Sequence, residues 1–305
     1  MIHLPNCEFY ITHTCNLSCN NCHTFNDLAI GGHYDWTSTE HIYRHWAEIM
    51  DIARICIMGG EPLTNPHYLE WLTNIAQLWP KAKIIVYTNG TQFHRQPDLY
   101  KTIVELNKTR PGIIEIFVSA HDQSHQEPVF KFIENYMVEP NIFDRYLEDK
   151  QVAEHAVAYQ DKNGVILNIK QNVFFHENSL MINRQTKQVD LYHSDPEKAF
   201  KICNMKTCHH MENGLLYKCG PMGVLPFVLE KFQINARPED LDLLYSYKPA
   251  SVSWPVEEIA EFVEELKRKR SIPQCSFCPE EFTPQPVHAN EKKIVLIKRK
   301  QELKI

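Results

Sequence analysis

The sequence predicts an α/β fold in which a mainly parallel sheet is covered by helices. Two observations carry this. Short, almost wholly apolar runs recur at 54–58 (RICIM), 83–87 (KIIVY) and 112–119 (GIIEIFVS), the pattern of strands buried on both faces. Between them lie stretches with helical apolar spacing, and strand–helix alternation of this kind builds parallel sheets.

Taken in order, residues 8–12 (EFYIT) read as a first strand. Thr37 or Ser38 then caps a helix with Ile42, Trp46, Ile49 and Met50 on one face. RICIM is the second strand and ends in Gly59-Gly60. Asn65-Pro66 opens a helix bearing Leu69, Leu72, Ile75 and Ala76, with proline suited to a first turn. KIIVY is followed by Thr88-Asn89-Gly90. Asp98 starts a helix carrying Leu99, Ile103 and Leu106, and GIIEIFVS is the fourth strand. Residues 127–160 read as mostly helical (Phe143, Tyr146, Leu147), 165–175 as a strand and 180–193 as a hairpin. From about 195 the alternation stops. Asn213-Gly214 signals a tight hairpin, and 256–269 an amphipathic helix leading to Cys275. The tail at 292–300 reads as a closing strand with a solvated face. Pattern alone leaves the sheet open or closed. In both cases ligands gather at the carboxyl ends of the strands. The turns after the four strands therefore share one rim.

The chain has 305 residues, 43% of them apolar and 23% charged, with a net charge of −6, as expected of a globular protein. Broad electrostatic attraction to nucleic acid or anionic lipid is not expected. Neither a membrane-spanning run nor a secretion signal is evident, so the expected compartment is the cytoplasm. There, clustered cysteines bind metal more often than they form disulfides.

Ten cysteines are present. Cys15, Cys19 and Cys22 are spaced C-x3-C-x2-C on the rim. Three thiolates can hold a 4Fe-4S cluster by three corners and leave one iron open to a small molecule; such clusters usually take four thiolates. Structural zinc is the alternative, with His23 or Cys7 as fourth ligand. Gly59 and Gly60 permit close backbone approach, and Glu61 can neutralise an ammonium group. A second set, Cys203, Cys219, Cys275 and Cys278, forms a closed four-thiolate site suited to either zinc or a cluster. Cys208 is left as a packed thiol, a substitute ligand for Cys203, or a hydrogen-atom donor to a substrate radical. Cys7 and Cys56 read as core residues. His121, after the fourth strand, is a candidate substrate contact, with Lys170 and Asn172 weaker ones.

The cysteine triplet after strand one, with GGEPL after strand two, resembles the radical S-adenosylmethionine (radical SAM) superfamily over about residues 8–175. The resemblance implies a partial (β/α)6 TIM-like barrel over 1–197. It also implies a SAM-binding 4Fe-4S cluster on Cys15, Cys19 and Cys22. Gly59, Gly60, Glu61 and Pro62 would bind the methionyl amine, Ser119 would contact ribose, and Thr88 and Asn89 would assist. Reductive cleavage of SAM would give a 5′-deoxyadenosyl radical that abstracts substrate hydrogen. Asn21 departs from the family's aromatic or His before the third cysteine, so adenine would be held by polar contact or by Phe25. The pattern Cys203-x10-Gly214-x4-Cys219, closed by Cys275-x2-Cys278, resembles the shortened SPASM unit called Twitch. It implies a β-hairpin/helix domain at 198–305 with an auxiliary 4Fe-4S cluster.

With the first strand beginning near Met1, no leader-peptide clamp is expected before the barrel. A small polar substrate, sugar-like or aminocyclitol-like, follows, with dehydrogenation or epimerisation as the outcome and a flavodoxin- or ferredoxin-like electron donor. A peptide-modifying maturase and a zinc-stabilised binding protein without catalysis are the alternatives.

Overall fold

The computed structural model describes residues 1–287 apart from 111, 122–125, 148–153, 172–173, 178–179 and 184. In chain order the strands are β1 (Ile2–Leu4), β2 (Cys7–Tyr10), β3 (Met50–Ile52), β4 (Arg54–Met58), β5 (Lys83–Thr88), β6 (Ile114–Ala120), β7 (Asn141–Leu147), β8 (Glu154–Gln160) and β9 (Ile166–Gln171). They continue with β10 (Phe174–His176), β11 (Met181–Asn183), β12 (Gln188–Asp190), β13 (His209–Glu212), β14 (Leu215–Tyr217), β15 (Ala250–Ser251) and β16 (Pro284–Pro286). The helices are α1 (Trp36–Ile49), α2 (Tyr68–Leu78), α3 (Leu99–Asn107), α4 (Gln126–Tyr136), α5 (Pro196–Ile202), α6 (Gly220–Phe232), α7 (Pro238–Ser246) and α8 (Val256–Lys267).

One ten-stranded sheet runs in the order β15-β14-β13-β2-β4-β5-β6-β9-β8-β7. Its centre, β13-β2-β4-β5-β6-β9, is parallel throughout. Antiparallel strands finish both edges. This parallel-rich, helix-covered sheet is the architecture of a partial TIM-like barrel. β2, β4, β5 and β6 occupy the positions read from the apolar runs, and every residue of β6 is buried.

The main core pairs these strands with an aromatic layer between α1 and α2. Trp71 meets Trp36 and Tyr43 edge-on, at 4.9 and 5.1 Å between centroids. Three buried indoles in this region have an acceptor: Trp46 Nε1 donates to Gly214 O, Trp71 to Tyr34 O and Trp79 to Met50 O. Such pairing removes the cost of burying an N–H.

Two local expectations are corrected. The cap of α1 is Asp35, whose carboxylate accepts from Thr37 N and the Thr37 hydroxyl; an Asp one step earlier out-competes Thr37 and Ser38 for that role. Residues 127–160 are not mostly helical. The helix α4 ends at Tyr136, Glu139 adopts φ 48° before Pro140, and the chain returns as the antiparallel pair β7–β8. A residue before proline is steered away from helix. The hairpins at 181–190 and 209–217 form as read. Asn213 and Gly214 have φ 48° and 76°, the two positive values a tight hairpin turn needs. The expected boundary at 197/198 falls before β13, which extends the sheet from the β2 edge. Asn172 and the tail at 292–300 lie outside the described residues. No described helix is long and apolar enough to cross a membrane.

Candidate active site: two cysteine centres

The rim is assembled by backbone contact. Leaving β2, the chain stays zipped to the end of β4: Ile11 N donates to Met58 O, Gly60 N to Thr12 O and Glu61 N to Thr14 O, at 2.8–2.9 Å. This closeness explains the two glycines. A Cβ on Gly59 would lie 2.5 Å from Thr12 O, and one on Gly60 would lie 2.5 Å from Thr14 O. Both distances are shorter than atoms tolerate, so only glycine lets the GGEP turn press against the cysteine loop.

Glu61 locks that turn to the next one. Its side chain is fully buried. It accepts from Leu63 N (3.1 Å), the Thr88 hydroxyl (2.7 Å) and Asn89 N (2.7 Å). Burial pushes its carboxyl up to about 7, against the pull of these hydrogen bonds. The expectation that this carboxylate faces a ligand ammonium is therefore corrected: both oxygens turn inward. Asn89 Nδ2 in turn donates to Asn16 Oδ1, and Asn16 Nδ2 to Thr91 Oγ1. The TNG turn thus grips the cysteine loop directly.

Within the loop Cys19 is buried, while Cys15 and Cys22 are half-buried. Leu17 N donates to Cys15 Sγ at 3.4 Å, and Cys22 Sγ lies 3.4 Å from Thr24 Oγ1. Burial pushes the Cys15 thiol up to about 12, with Glu61 and Cys22 adding to it. Burial likewise raises Cys19, with contributions from Cys22 and Cys15. Such thiols become ligands when a metal displaces their protons.

Ser119 is buried at the end of β6, opposite Lys170. The His121 ring meets Phe175 edge-on at 5.3 Å, and the His23 ring lies 6.0 Å from Phe175. His23 and Phe175 therefore share the His121 side of the rim. Phe25 is not at the rim: it is buried in a second apolar cluster with Met222, Leu225 and Phe277. Its nomination as an adenine contact is corrected accordingly. Cys7 is fully buried in β2, away from the triplet at the other end of that strand.

The second set of cysteines converges on one cavity. Cys203 closes α5, Cys219 precedes α6, and Cys275 and Cys278 sit on the turn after α8; all four line the same cavity. Burial raises all four thiols, Cys278 to about 12. Met205 N donates to Cys203 Sγ and Ile272 N to Cys275 Sγ. The cavity also holds Lys218 in its wall, a cation suited to offset clustered thiolates.

Sulfur spacing distinguishes a single ion from a cluster. Tetrahedral zinc with Zn–S near 2.3 Å sets its sulfurs about 3.8 Å apart. Among the described residues, no three cysteine sulfurs lie within 4.8 Å of one another. In each set the sulfurs are spaced more widely than a closed zinc site holds them. The one grouping that tight is Asp35, His67 and Glu70 on the surface, where Asp35 already caps α1.

The two centres touch. A Cβ on Gly220, next to Cys219, would lie 3.6 Å from Thr24 Cγ2, and Thr24 contacts Cys22. Phe25 supplies part of the second cavity's wall.

Cys208 lies away from the triplet rim. It is fully buried just before β13, whose first residue pairs with Cys7 at the start of β2. β2 and β13 are parallel, so Cys208 sits at the amino-terminal end of the sheet. Roughly 13 Å of strand separates it from the rim. It does not line the four-cysteine cavity. The hydrogen-donor reading of Cys208 is corrected by this distance from the rim, whereas the β13–β14 register sets Cys208 level with Cys219, beside the second set of cysteines.

Sequence reasoning missed a buried polar knot beside the rim. Glu212 Oε1 accepts from His13 Nε2 (2.8 Å) and the Tyr34 hydroxyl (2.9 Å), and Oε2 accepts from His210 Nε2 (3.0 Å). Burial opposes the charge on Glu212, but the His13 and His210 hydrogen bonds outweigh it and hold the carboxyl down at about 2. The H-x-E spacing at 210–212 was the available signal, since alternate strand residues share a face.

Residues 9–133 match the model of the Radical SAM superfamily, so this stretch of the chain is a Radical SAM domain. A Radical SAM domain implies a 4Fe-4S cluster and SAM. Two solved structures are similar to it. BtrN, in complex with AdoMet and 2-DOIA, is 23% identical over 38% of this chain and 45% of its own, with a TM-score of 0.30. SuiB of Streptococcus suis is 14% identical over 71% of this chain and 60% of its own, with a TM-score of 0.32. The chain thus spans less than two thirds of either protein. No curated protein matches it.

Proposed function

We propose that this radical SAM enzyme carries two 4Fe-4S clusters and dehydrogenates a small polar substrate, sugar-like or aminocyclitol-like. The first cluster would be held by Cys15, Cys19 and Cys22, and the auxiliary one by Cys203, Cys219, Cys275 and Cys278. The observation that carries the second cluster is the shared cavity of four thiols, too widely set for one zinc and in contact with the first loop through Thr24 and Gly220. With SAM bound, the first centre supplies hydrogen abstraction from an unactivated C–H.

The chain's own residues hold and shape the rim. The Gly59-Gly60-Glu61-Pro62 turn offers backbone to the methionyl amine, kept in place by Glu61 through Thr88 and Asn89. Ser119 would contact ribose, and His121 with Phe175 would border the substrate. Residues 198–305 would make up the auxiliary unit, whose described part joins the sheet through β13. Dehydrogenation is favoured over epimerisation because the second set of thiols offers a place for the substrate's second electron.

Metal analysis of anaerobically purified protein tests this. Two clusters require about eight irons and little zinc. Replacing Cys275 and Cys278 with Ala should leave about four irons, with 5′-deoxyadenosine still formed and oxidised product lost. Stoichiometric zinc in the native protein would overturn the proposal.

A further inference from the structure

We infer that the basic face around the four-cysteine cavity, carried by Lys201, Lys206, Lys218, Lys269 and Arg270, docks an acidic one-electron carrier protein. The inference rests on the auxiliary centre proposed above and deepens it by naming the partner.

The chain is acidic as a whole, with a net charge of −6. Yet residues 198–206 contain three lysines and no acid, and 267–270 are Lys-Arg-Lys-Arg. The fold brings these two segments together. Lys218, from the cavity wall, donates its Nζ to Arg270 O at 2.7 Å. It also lies 4.9 Å from the centroid of the Phe200 ring, which Lys206 approaches to 5.7 Å. Lys206 Nζ reaches back to Lys201 O. Phe200 and Lys218 themselves line the cavity, so the two basic segments meet at its wall.

Part of the charge has local work. Lys267 and Arg268 close the last turn of α8 and pair with Glu264 and Glu265, and Lys198 meets Glu280. Basic groups at a helix carboxyl end need no partner protein. Lys201, Lys269 and Arg270 differ. They are exposed, and among the described residues none has an acidic partner. Lys269 and Arg270 also lie beyond the end of α8.

What lies beneath gives the face its meaning. Cys203, Cys219, Cys275 and Cys278 are only half-buried, so the cavity stands close to the surface. On its inner side Gly220 abuts Thr24 and hence Cys22. A carrier seated over the cavity would face the one route in the described fold that joins the two cysteine centres. Unpaired cations over a near-surface redox centre suit a negatively charged carrier, because complementary charge steers docking and raises the encounter rate.

Binding is measured with a flavodoxin of strongly acidic surface as the probe and the anaerobic holoprotein as the target, following flavin fluorescence at about 0.01 M ionic strength. The triple variant Lys201→Glu, Lys269→Glu, Arg270→Glu should weaken Kd about tenfold or more. Salt at about 0.5 M, which shortens the Debye length severalfold, should bring the wild type to the variant's level. None of these side chains holds metal or SAM, so iron content and dithionite-driven SAM cleavage stay at the wild-type level. Unchanged Kd in the triple variant at full iron content overturns the docking face alone. About four irons per chain in the wild type overturns the auxiliary centre, and the docking face with it.

Discussion

Glu212 is the residue whose replacement tests the packing argument most directly. It joins β13 to the chain leaving β2 two residues before Cys15, and it does so with three donors on one buried carboxylate: His13, Tyr34 and His210. Glu212→Gln preserves shape but replaces one oxygen with an NH2 that faces a donor. Breaking a buried, hydrogen-bonded charge pair costs about 3–5 kcal/mol. The isosteric amide keeps some of the bonding, so a loss of about 3 kcal/mol is expected near neutral pH. The pH dependence supplies a second, independent check. Against the burial that opposes it, hydrogen bonding lowers the folded-state value from 4.5 to about 2. The stabilisation is therefore present above the unfolded value and is lost as pH falls towards the folded one. At pH near 3.5, about one unit below the unfolded value, the wild type should have lost about 1.4 kcal/mol that the amide variant never had. Urea unfolding followed by far-UV circular dichroism at about pH 6 and about pH 3.5 measures both quantities. The reasoning is refuted if the two proteins unfold together at the higher pH, or if the gap between them does not narrow at the lower.

Two other substitutions follow from the same geometry. Gly60→Ala would place a methyl 2.5 Å from Thr14 O and 2.8 Å from Asn26 Oδ1, forcing the GGEP turn off the cysteine loop at a cost of about 1–3 kcal/mol. Titration with SAM should show weakened binding at unchanged iron content, whereas wild-type affinity would mean the close approach does not matter. Cys208→Ala should leave iron content, 5′-deoxyadenosine formation and product yield unaltered, with only a modest drop in melting temperature from the lost buried sulfur. Loss of product in that variant would restore the thiol to the mechanism.

The amino-acid order was sufficient for the parallel sheet, the rim and the membership of each cysteine set. Apolar runs such as RICIM and KIIVY mark strands through burial on both faces, and Gly59-Gly60 and Asn213-Gly214 mark turns through backbone freedom; each signal lies within a few neighbouring residues. The reading of 127–160 as helix failed because β7 and β8 form a hairpin pair that joins the sheet through β9, a pairing not written in their own periodicity. Pro140 was the local cue. What only the tertiary structure decided involves partners about two hundred residues apart. His13 meets Glu212, Thr24 meets Gly220, and β13 joins β2 in a register that carries Cys208 to the far end of the sheet. No short-range pattern encodes such contacts, because they form when separate surfaces close over one another and exclude water. The thiols of each centre were legible in sequence, but the contact that makes the two centres neighbours was not.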